Sequence, residues 1–164
     1  MNTSYKYRAF ISYSHKDKAF AVWLQKGIEN YTIPTSLRDK YPHLPKDLKR
    51  SVFRDDEELS SASDLSAVLE QALEASACLI VVCSADAVAS KWVEKEIAYF
   101  KSSDDERSIY TVIKKGEAKD VMPKVLGDEV LAVDAQQGKN MGLNGKYQGL
   151  KTSSKYGTMS RKQG

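Results

Sequence analysis

Apolar and polar positions along the chain follow two alternating patterns, one with the period of a strand and one with the period of a helix. The clearest apolar run covers residues 77–83 and is rich in β-branched side chains, which is typical of a strand buried on both faces of a parallel sheet. Further strands are predicted over residues 7–14, 51–54, 108–114 and 130–134. Helices are predicted over residues 16–30, from 63 or 64 to about 75, over 87–102 and, briefly, within 119–126.

One predicted helix carries a complete core-facing stripe. The side chains at helical spacing that we expect to face the sheet are Leu65, Val68, Leu69, Ala72 and Leu73. Residues 31–50, by contrast, contain three prolines among mixed polar residues, which predicts a long irregular connection.

The alternation of strands and helices predicts an α/β fold with a mostly parallel sheet and right-handed crossovers. We expect a flavodoxin-like, open sheet of five strands in the order 2-1-3-4-5, with helices on both faces. In that order the ligand crevice lies between the first and third strands, among residues 14–17 after the first strand and residues 84–90 after the third. Trp92 and Glu96 are four residues apart, so they share one face of the helix beside this crevice.

A phosphoacceptor domain of the receiver type would have the same topology. Such a domain ends its third strand with an Asp, where this chain has Cys83 and Ser84. It also carries an acidic pair after its first strand, where this chain has Ser14, His15 and Lys16. These positions argue against that class.

Charge divides the chain into a body and a tail. The 164 residues suffice for one domain with a substantial core. Residues 138–164 carry six of the 25 basic residues and none of the 22 acidic ones, so the body is acidic although the whole chain carries +3. We predict a domain over residues 1–137 and a flexible, basic, Gly-rich tail over 138–164. The tail lacks a dense cluster of Lys and Arg, which argues against nucleic acid binding.

Apolar segments and potential ligands bear on location and metal binding. No segment approaches the 18 apolar residues of a membrane span, and no apolar stretch follows the first charged residues as in a signal peptide. Cys78 and Cys83 lie at odd spacing in one predicted strand, so they point to opposite faces and cannot bridge each other. His15 and His43 are the two histidines and form no ligand cluster in sequence. We expect a cytoplasmic protein without a metal site.

Four segments in order carry a resemblance to a known family. They are RAFISYS at 8–14, VFRDDEEL at 52–59, LIVVCS at 79–84 and SKWVEKEI at 90–97. Through these segments, residues 5–134 resemble a Toll/interleukin receptor (TIR) domain of the prokaryotic type.

The resemblance implies an enzyme. Some TIR domains cleave the nicotinamide–ribose bond of NAD with one glutamate in the tryptophan-containing motif of the third helix, and the matching residue here is Glu96. Nicotinamide leaves as a neutral molecule, so no general acid is needed, and a carboxylate can stabilise the positive charge that develops on the ribose. The implied activity is that of a bacterial NAD+ nucleosidase in defence signalling or NAD depletion. Its products would be nicotinamide and ADP-ribose or a cyclic isomer, with NAD as substrate and no cofactor.

Other site residues follow from the resemblance and from the predicted crevice. The predicted substrate-binding residues are Trp92, Phe53, Ser14, His15 and Ser84. Core packing is an open alternative for the two aromatic residues, and a helix-start or turn role is open for the three others. The acidic loop corresponds to the loop that TIR domains use for domain–domain contact, with a solvated charge run as the alternative. The predicted interface residues are Arg54, Asp55, Asp56, Glu57 and Glu58.

Two classes of function remain after this reading. One is the NAD-consuming enzyme, and the other is a non-catalytic TIR module that only recruits other TIR domains. The shared helix face of Trp92 and Glu96 favours the enzyme. A nucleoside-ribosyl transferase of similar architecture is a third, more distant alternative.

Overall fold

A parallel sheet forms the centre of the computed structural model, which describes residues 4–56, 65–103, 106–127 and 131–135. Within these residues the strands are β1 (Ala9–Ser12), β2 (Val52–Arg54), β3 (Cys78–Cys83), β4 (Ser108–Ile113) and β5 (Leu131–Asp134). Every neighbouring pair is parallel, and the order is β2-β1-β3-β4-β5. The predicted α/β fold and the strand order are confirmed, although several strands are shorter at their ends than the sequence pattern suggested.

Helices connect the strands. They are α1 (Lys18–Glu29), α2 (Thr35–Lys40), α3 (Ala67–Glu74), α4 (Ala85–Ala89), α5 (Lys91–Ser102) and α6 (Ala118–Val121), with short 3-10 turns at His15–Asp17 and Lys124–Leu126. The prediction of one continuous helix over residues 87–102 is wrong, because the chain leaves the helical conformation at Ser90 (φ −84°, ψ 111°). The Ser84 side chain accepts from the Ala87 amide to cap α4. Ser90 accepts from the Val93 amide at 3.2 Å to cap α5, so each helix has its own start.

Helices cover both faces of the sheet, as predicted. Side chains alternate along β1, so Ile11 packs on the α1 side with Phe20, whereas Phe10 packs on the α5 side with Ile97. Phe10, Ile11 and Ile97 are fully buried. Removing side chains of this size from water contributes roughly 1.5–3 kcal/mol each to folding.

The stripe predicted for the helix before residue 75 is correct except at one position. Leu69, Ala72 and Leu73 of α3 are buried, and Leu65 packs against the same core. Val68 is 68% exposed, so its predicted core position is wrong. The buried stripe is centred on Leu69, and successive helical residues are about 100° apart, which turns Val68 out of the interface.

The connection over residues 31–50 is more regular than predicted. It contains α2, which starts directly after Pro34, and an isolated antiparallel bridge between Thr32 and Asp47. Pro34 has the φ of −55° that suits a helix start, so the proline that suggested irregularity instead begins a short helix.

The two cysteines occupy β3 as predicted. Cys83 packs with the α5-side core and Cys78 with the α1-side core, and both are free. Burial raises the pKa of Cys78 to about 11 and that of Cys83 to about 12, so both are thiols at neutral pH.

Two predictions concern the chain as a whole. Among the described residues, none of the helices has the length and apolar character needed to cross a membrane. The predicted tail over 138–164 lies outside the described residues, and the domain boundary at residue 137 stays a prediction.

Candidate active site

Glu96 is a carboxyl group inside the core. It lies on the face of α5 that also carries Val93, Ile97 and Phe100, and it is only 2% exposed. The position follows from the start of α5 at the Ser90 cap, which fixes the face turned towards the sheet. A carboxylate in such a setting is costly unless hydrogen bonds or a ligand stabilise it. Glu96 therefore requires an explanation beyond packing.

One side chain donates a hydrogen bond to Glu96 from the sheet. The Ser12 hydroxyl, at the carboxyl end of β1, donates to Glu96 Oε2. Trp92 lies one turn earlier on α5, and its side chain acts to lower the pKa of Glu96. Trp92 and Glu96 thus lie in the same neighbourhood, as their spacing predicted, whereas the sequence analysis did not single out Ser12.

The protonation of Glu96 reflects these surroundings. Its pKa is raised from 4.5 to about 8, chiefly by burial; the hydrogen bond from Ser12 and the Trp92 side chain act to lower the pKa, and the negative charge of Asp55 acts to raise it. In this form of the protein the carboxyl group is mostly neutral at pH 7. A cation placed beside it would favour the ionised form.

Phe53 and Trp92 lie on the same side of the sheet as Glu96. The Phe53 ring stacks on Phe10 with centroids 5.1 Å apart, and it also contacts Tyr7 at 5.2 Å. Trp92 is half-buried against the same core. Both predicted aromatic residues therefore pack against the core on the side of the sheet that carries Glu96, and their substrate-binding role stays a prediction.

Arg54, Asp55 and Asp56, the first residues of the predicted acidic loop, form contacts within the domain. The Tyr13 hydroxyl donates to the Asp55 carbonyl. The Arg54 guanidinium forms an ion pair with Asp56 and donates to Gln25 Oε1 at 2.8 Å. Arg54 is therefore mostly an internal residue, with its side chain 11% exposed. Glu57 and Glu58 lie outside the described residues, and the interface role of the five residues stays a prediction.

Ser14, His15 and Ser84 lie at the predicted carboxyl edge of the sheet. Ser14 and Ser84 are buried, whereas His15 is exposed. The Ser14 carbonyl accepts from the Asp17 amide at 2.7 Å, and the Ser84 hydroxyl donates to Asp17 Oδ2. These two serines thus have local structural partners, and a substrate-binding role for the three residues stays a prediction.

A buried ion pair at this edge was missed by the sequence analysis. Lys114 follows β4, and its Nζ lies 2.7 Å from Oδ1 of Asp17, whose side chain is fully buried. With the bond from Ser84, this pair joins the segments after β1, β3 and β4. The available signal was a polar residue in the segment that follows each of these strands, at the edge where such residues converge.

Metal ligands are absent from the part of the chain that the structure describes. There, no group of three or more His, Cys, Asp or Glu side chains is arranged to hold a metal ion.

Comparisons with known proteins give similarities in sequence and structure. Residues 9–145 match the family model described as TIR domain. The NAD(+) hydrolase ApTIR of an Actinoplanes species is 33% identical over 113 residues, which are 68% of this chain and 14% of that protein. The chain thus spans about one seventh of the length of this curated relative.

The comparison with solved structures includes the TIR domains of a resistosome. The chain resembles the TIR domains in the activated Roq1 resistosome, which directly recognises the pathogen effector XopQ. The identity is 21%, the TM-score is 0.48, and the match covers 69% of this chain and 60% of that one.

Proposed function

The chain belongs to the TIR domain family, and we propose that it is an NAD glycohydrolase that cleaves the nicotinamide–ribose bond. The products are nicotinamide and ADP-ribose or a cyclic isomer. The observation that carries the proposal is the position of Glu96, a core carboxyl group that accepts a hydrogen bond from Ser12 and lies one helical turn from Trp92. The Actinoplanes relative that bears the name NAD(+) hydrolase supports the same activity, although this chain matches only part of it.

The chemistry needs few protein groups. The bond between the ribose C1′ and the pyridinium nitrogen breaks, and its electron pair goes to nitrogen, so nicotinamide leaves as a neutral molecule. Positive charge develops on the ribose ring, and the Glu96 carboxylate stabilises it. A water molecule then attacks C1′ and loses a proton, or a nitrogen of the adenine attacks and closes a ring. In the second case the product is the cyclic isomer.

Substrate charge and Glu96 ionisation are coupled in this proposal. The pyridinium ring of NAD is cationic, so its approach favours the ionised form of a carboxyl group whose pKa is otherwise about 8. Because Glu96 is only 2% exposed, a substrate must displace neighbouring side chains to touch it. Phe53 and Trp92 are the aromatic side chains that we assign to the nicotinamide and ribose surroundings.

A second candidate function is a non-catalytic TIR module that associates with other TIR domains. The full burial of Glu96 favours this candidate, since a neutral, hydrogen-bonded carboxyl group can be a core residue. Self-association through the segment that starts at Arg54 belongs to both candidates. For the enzyme we propose a cytoplasmic role in defence signalling or NAD depletion, which fits the two free thiols.

Incubation of the purified chain with NAD, with chromatographic detection of nicotinamide, tests the proposal. The wild type should release nicotinamide and Glu96→Gln should not. The matched control is Glu94→Gln on the same helix, because Glu94 is exposed and pairs only with Lys91 at 3.3 Å. Nicotinamide release by Glu96→Gln at the wild-type rate would remove Glu96 from the mechanism. Absence of release from the wild type, across dilute and concentrated protein, would favour the non-catalytic module.

A further inference from the structure

Ser12 is a fixed hydrogen-bond donor beneath Glu96. It is the last residue of β1, it is fully buried, and it pairs with Val81 of the neighbouring strand β3. Its hydroxyl donates to Glu96 Oε2 across 84 positions of sequence. Because the surroundings exclude bulk water, no solvent molecule can replace this donor if the hydroxyl is removed.

Asp55 lies directly after β2, at the same end of the sheet as Ser12. The last residue of β2, Arg54, pairs with Ile11, which is the residue before Ser12 in β1. The Tyr13 hydroxyl donates to the Asp55 carbonyl, which holds the Asp55 backbone beside the segment that follows Ser12. The negative charge of Asp55 acts on Glu96 in the opposite sense to the hydrogen bond from Ser12. A hydrogen-bond donor at the end of β1 and a like charge just after β2 therefore act on one carboxyl group.

The remaining groups around Glu96 do not titrate near neutral pH. Trp92, on the same helix, has no ionisable group in its side chain. From β3, the Cys83 thiol belongs to this side of the core, and its pKa of about 12 keeps it neutral. From α3, the packed side chains Leu69 and Leu73 are apolar. Among the described residues, Ser12 and Asp55 are thus the groups outside α5 that act on the charge of Glu96.

We propose that Ser12 and Asp55 are positioning residues that set the charge of Glu96 in opposite directions. Ser12 orients the carboxylate and favours its ionised, reactive form, whereas Asp55 favours the neutral form until a cationic substrate arrives. The role of the two residues in catalysis rests on the proposed function, whereas their effect on the protonation of Glu96 does not. Asp55 thereby makes the site selective for a positively charged leaving group, since a cation relieves the repulsion between the two carboxylates.

Direct titration of Glu96 tests the inference without any need for turnover. Glutamate labelled with carbon-13 in the side chain gives a carboxyl signal for Glu96, which is assigned by its loss in Glu96→Gln. Ser12→Ala should raise the midpoint of this signal by about one pH unit, because a hydrogen bond to a charged group is lost. Asp55→Asn should lower the midpoint by a similar or smaller amount, because the repulsion is removed.

Controls separate this effect from general loosening of the core. Ser12→Thr keeps the hydroxyl and should restore the wild-type midpoint. Ser76→Ala removes another fully buried hydroxyl, which donates to the Ala72 carbonyl, and should leave the midpoint unchanged. If Ser12→Ala fails to fold, Ser12→Cys supplies a weaker donor of similar size, and Asp55→Asn still tests the opposite direction.

The outcomes distinguish this inference from the proposed function. Midpoints that move in the same direction for Ser12→Ala and Asp55→Asn, or that do not move, would overturn the inference even if the wild type releases nicotinamide. Opposite shifts in a protein that releases none would support it, and the proposed function would fall. When the chain is active, the midpoint of kcat/KM against pH should move with the titration in both variants.

Discussion

Lys114 and Asp17 form an ion pair across the carboxyl edge of the sheet, with Nζ and Oδ1 2.7 Å apart and the Asp17 side chain fully buried. The Ser84 hydroxyl donates to the other oxygen of the same carboxylate. One carboxylate thus joins the segments that follow three strands. The segments that bound the predicted crevice depend on this carboxylate for their relative positions.

Removal of Lys114 should destabilise the fold. Lys114→Met leaves the buried Asp17 charge without its cation, and we expect a loss of about 2–4 kcal/mol in the free energy of unfolding, measured by urea denaturation. Lys91→Met is the matched control, because it breaks an exposed pair with Glu94 and should cost less than about 0.5 kcal/mol. Equal losses in the two variants would contradict a special role for the buried pair.

The reaction should depend on the ionisation of Glu96. The pKa of this group in the free protein is raised to about 8, so kcat/KM for nicotinamide release should rise from pH 6, reach half of its maximum near pH 8 and level off above about pH 9. The midpoint for kcat should lie at lower pH, because the bound cation favours the carboxylate. Rates are measured against Glu96→Gln as the blank. A kcat/KM that falls over this range would contradict an ionised Glu96.

Protein stability should respond to the same group. In the folded protein the pKa of Glu96 is about 8, whereas its ordinary value is 4.5. The protonated side chain therefore makes its full contribution to the free energy of unfolding below pH 4.5, and this contribution is lost as the pH rises through about 8. Relative to Glu96→Gln, the wild type should therefore lose up to about 1.4 kcal/mol per pH unit within this window. Thermal melting of both proteins between pH 5 and pH 9 gives the difference.

The control for this pH dependence is Glu94→Gln. Glu94 is exposed, so the stability difference between this variant and the wild type should stay nearly constant from pH 5 to pH 9. A constant difference for Glu96→Gln as well would show that Glu96 titrates in the folded protein as it does in water.

Activity should increase with self-association. If a second copy completes the site through the segment that starts at Arg54, nicotinamide released per molecule should rise with protein concentration. Asp56→Lys should shift this rise to higher concentration, because it reverses a charge that is 57% exposed and paired with Arg54 and Lys18. The control is Asp39→Lys on the exposed surface of α2, which should behave as the wild type. A specific activity that is constant over a hundredfold dilution would indicate a self-sufficient monomer.

The sheet could be predicted because its signal is local. The apolar run of β3 is read directly from the sequence, and parallel pairing follows from the helices between the strands. The burial of Leu69 and Leu73 was predictable for the same reason. Val68 was not, because periodicity alone does not locate the centre of a stripe to within one residue.

The partners of Glu96 could not be found in this way. Ser12 reads as an ordinary polar residue in a strand, and its bond to Glu96 depends on two elements 84 positions apart. The pairing of Asp17 with Lys114 spans 97 positions and depends on strand order as well as on side-chain reach. Topology indicated the neighbourhood of the site, but the individual hydrogen bonds depend on how α5 packs against β1.

The break at Ser90 divides the segment after β3 into two helices, each with its own capping serine. Because α5 has its own cap, the depth of Glu96 in the core is set by Ser90 and by the packing of Val93 and Ile97, rather than by the turn after β3. The five-residue helix α4, between Ser84 and Ser90, can then change in sequence or length without moving the carboxylate. The sequence of α4 is therefore free to vary while Glu96 keeps its depth in the core.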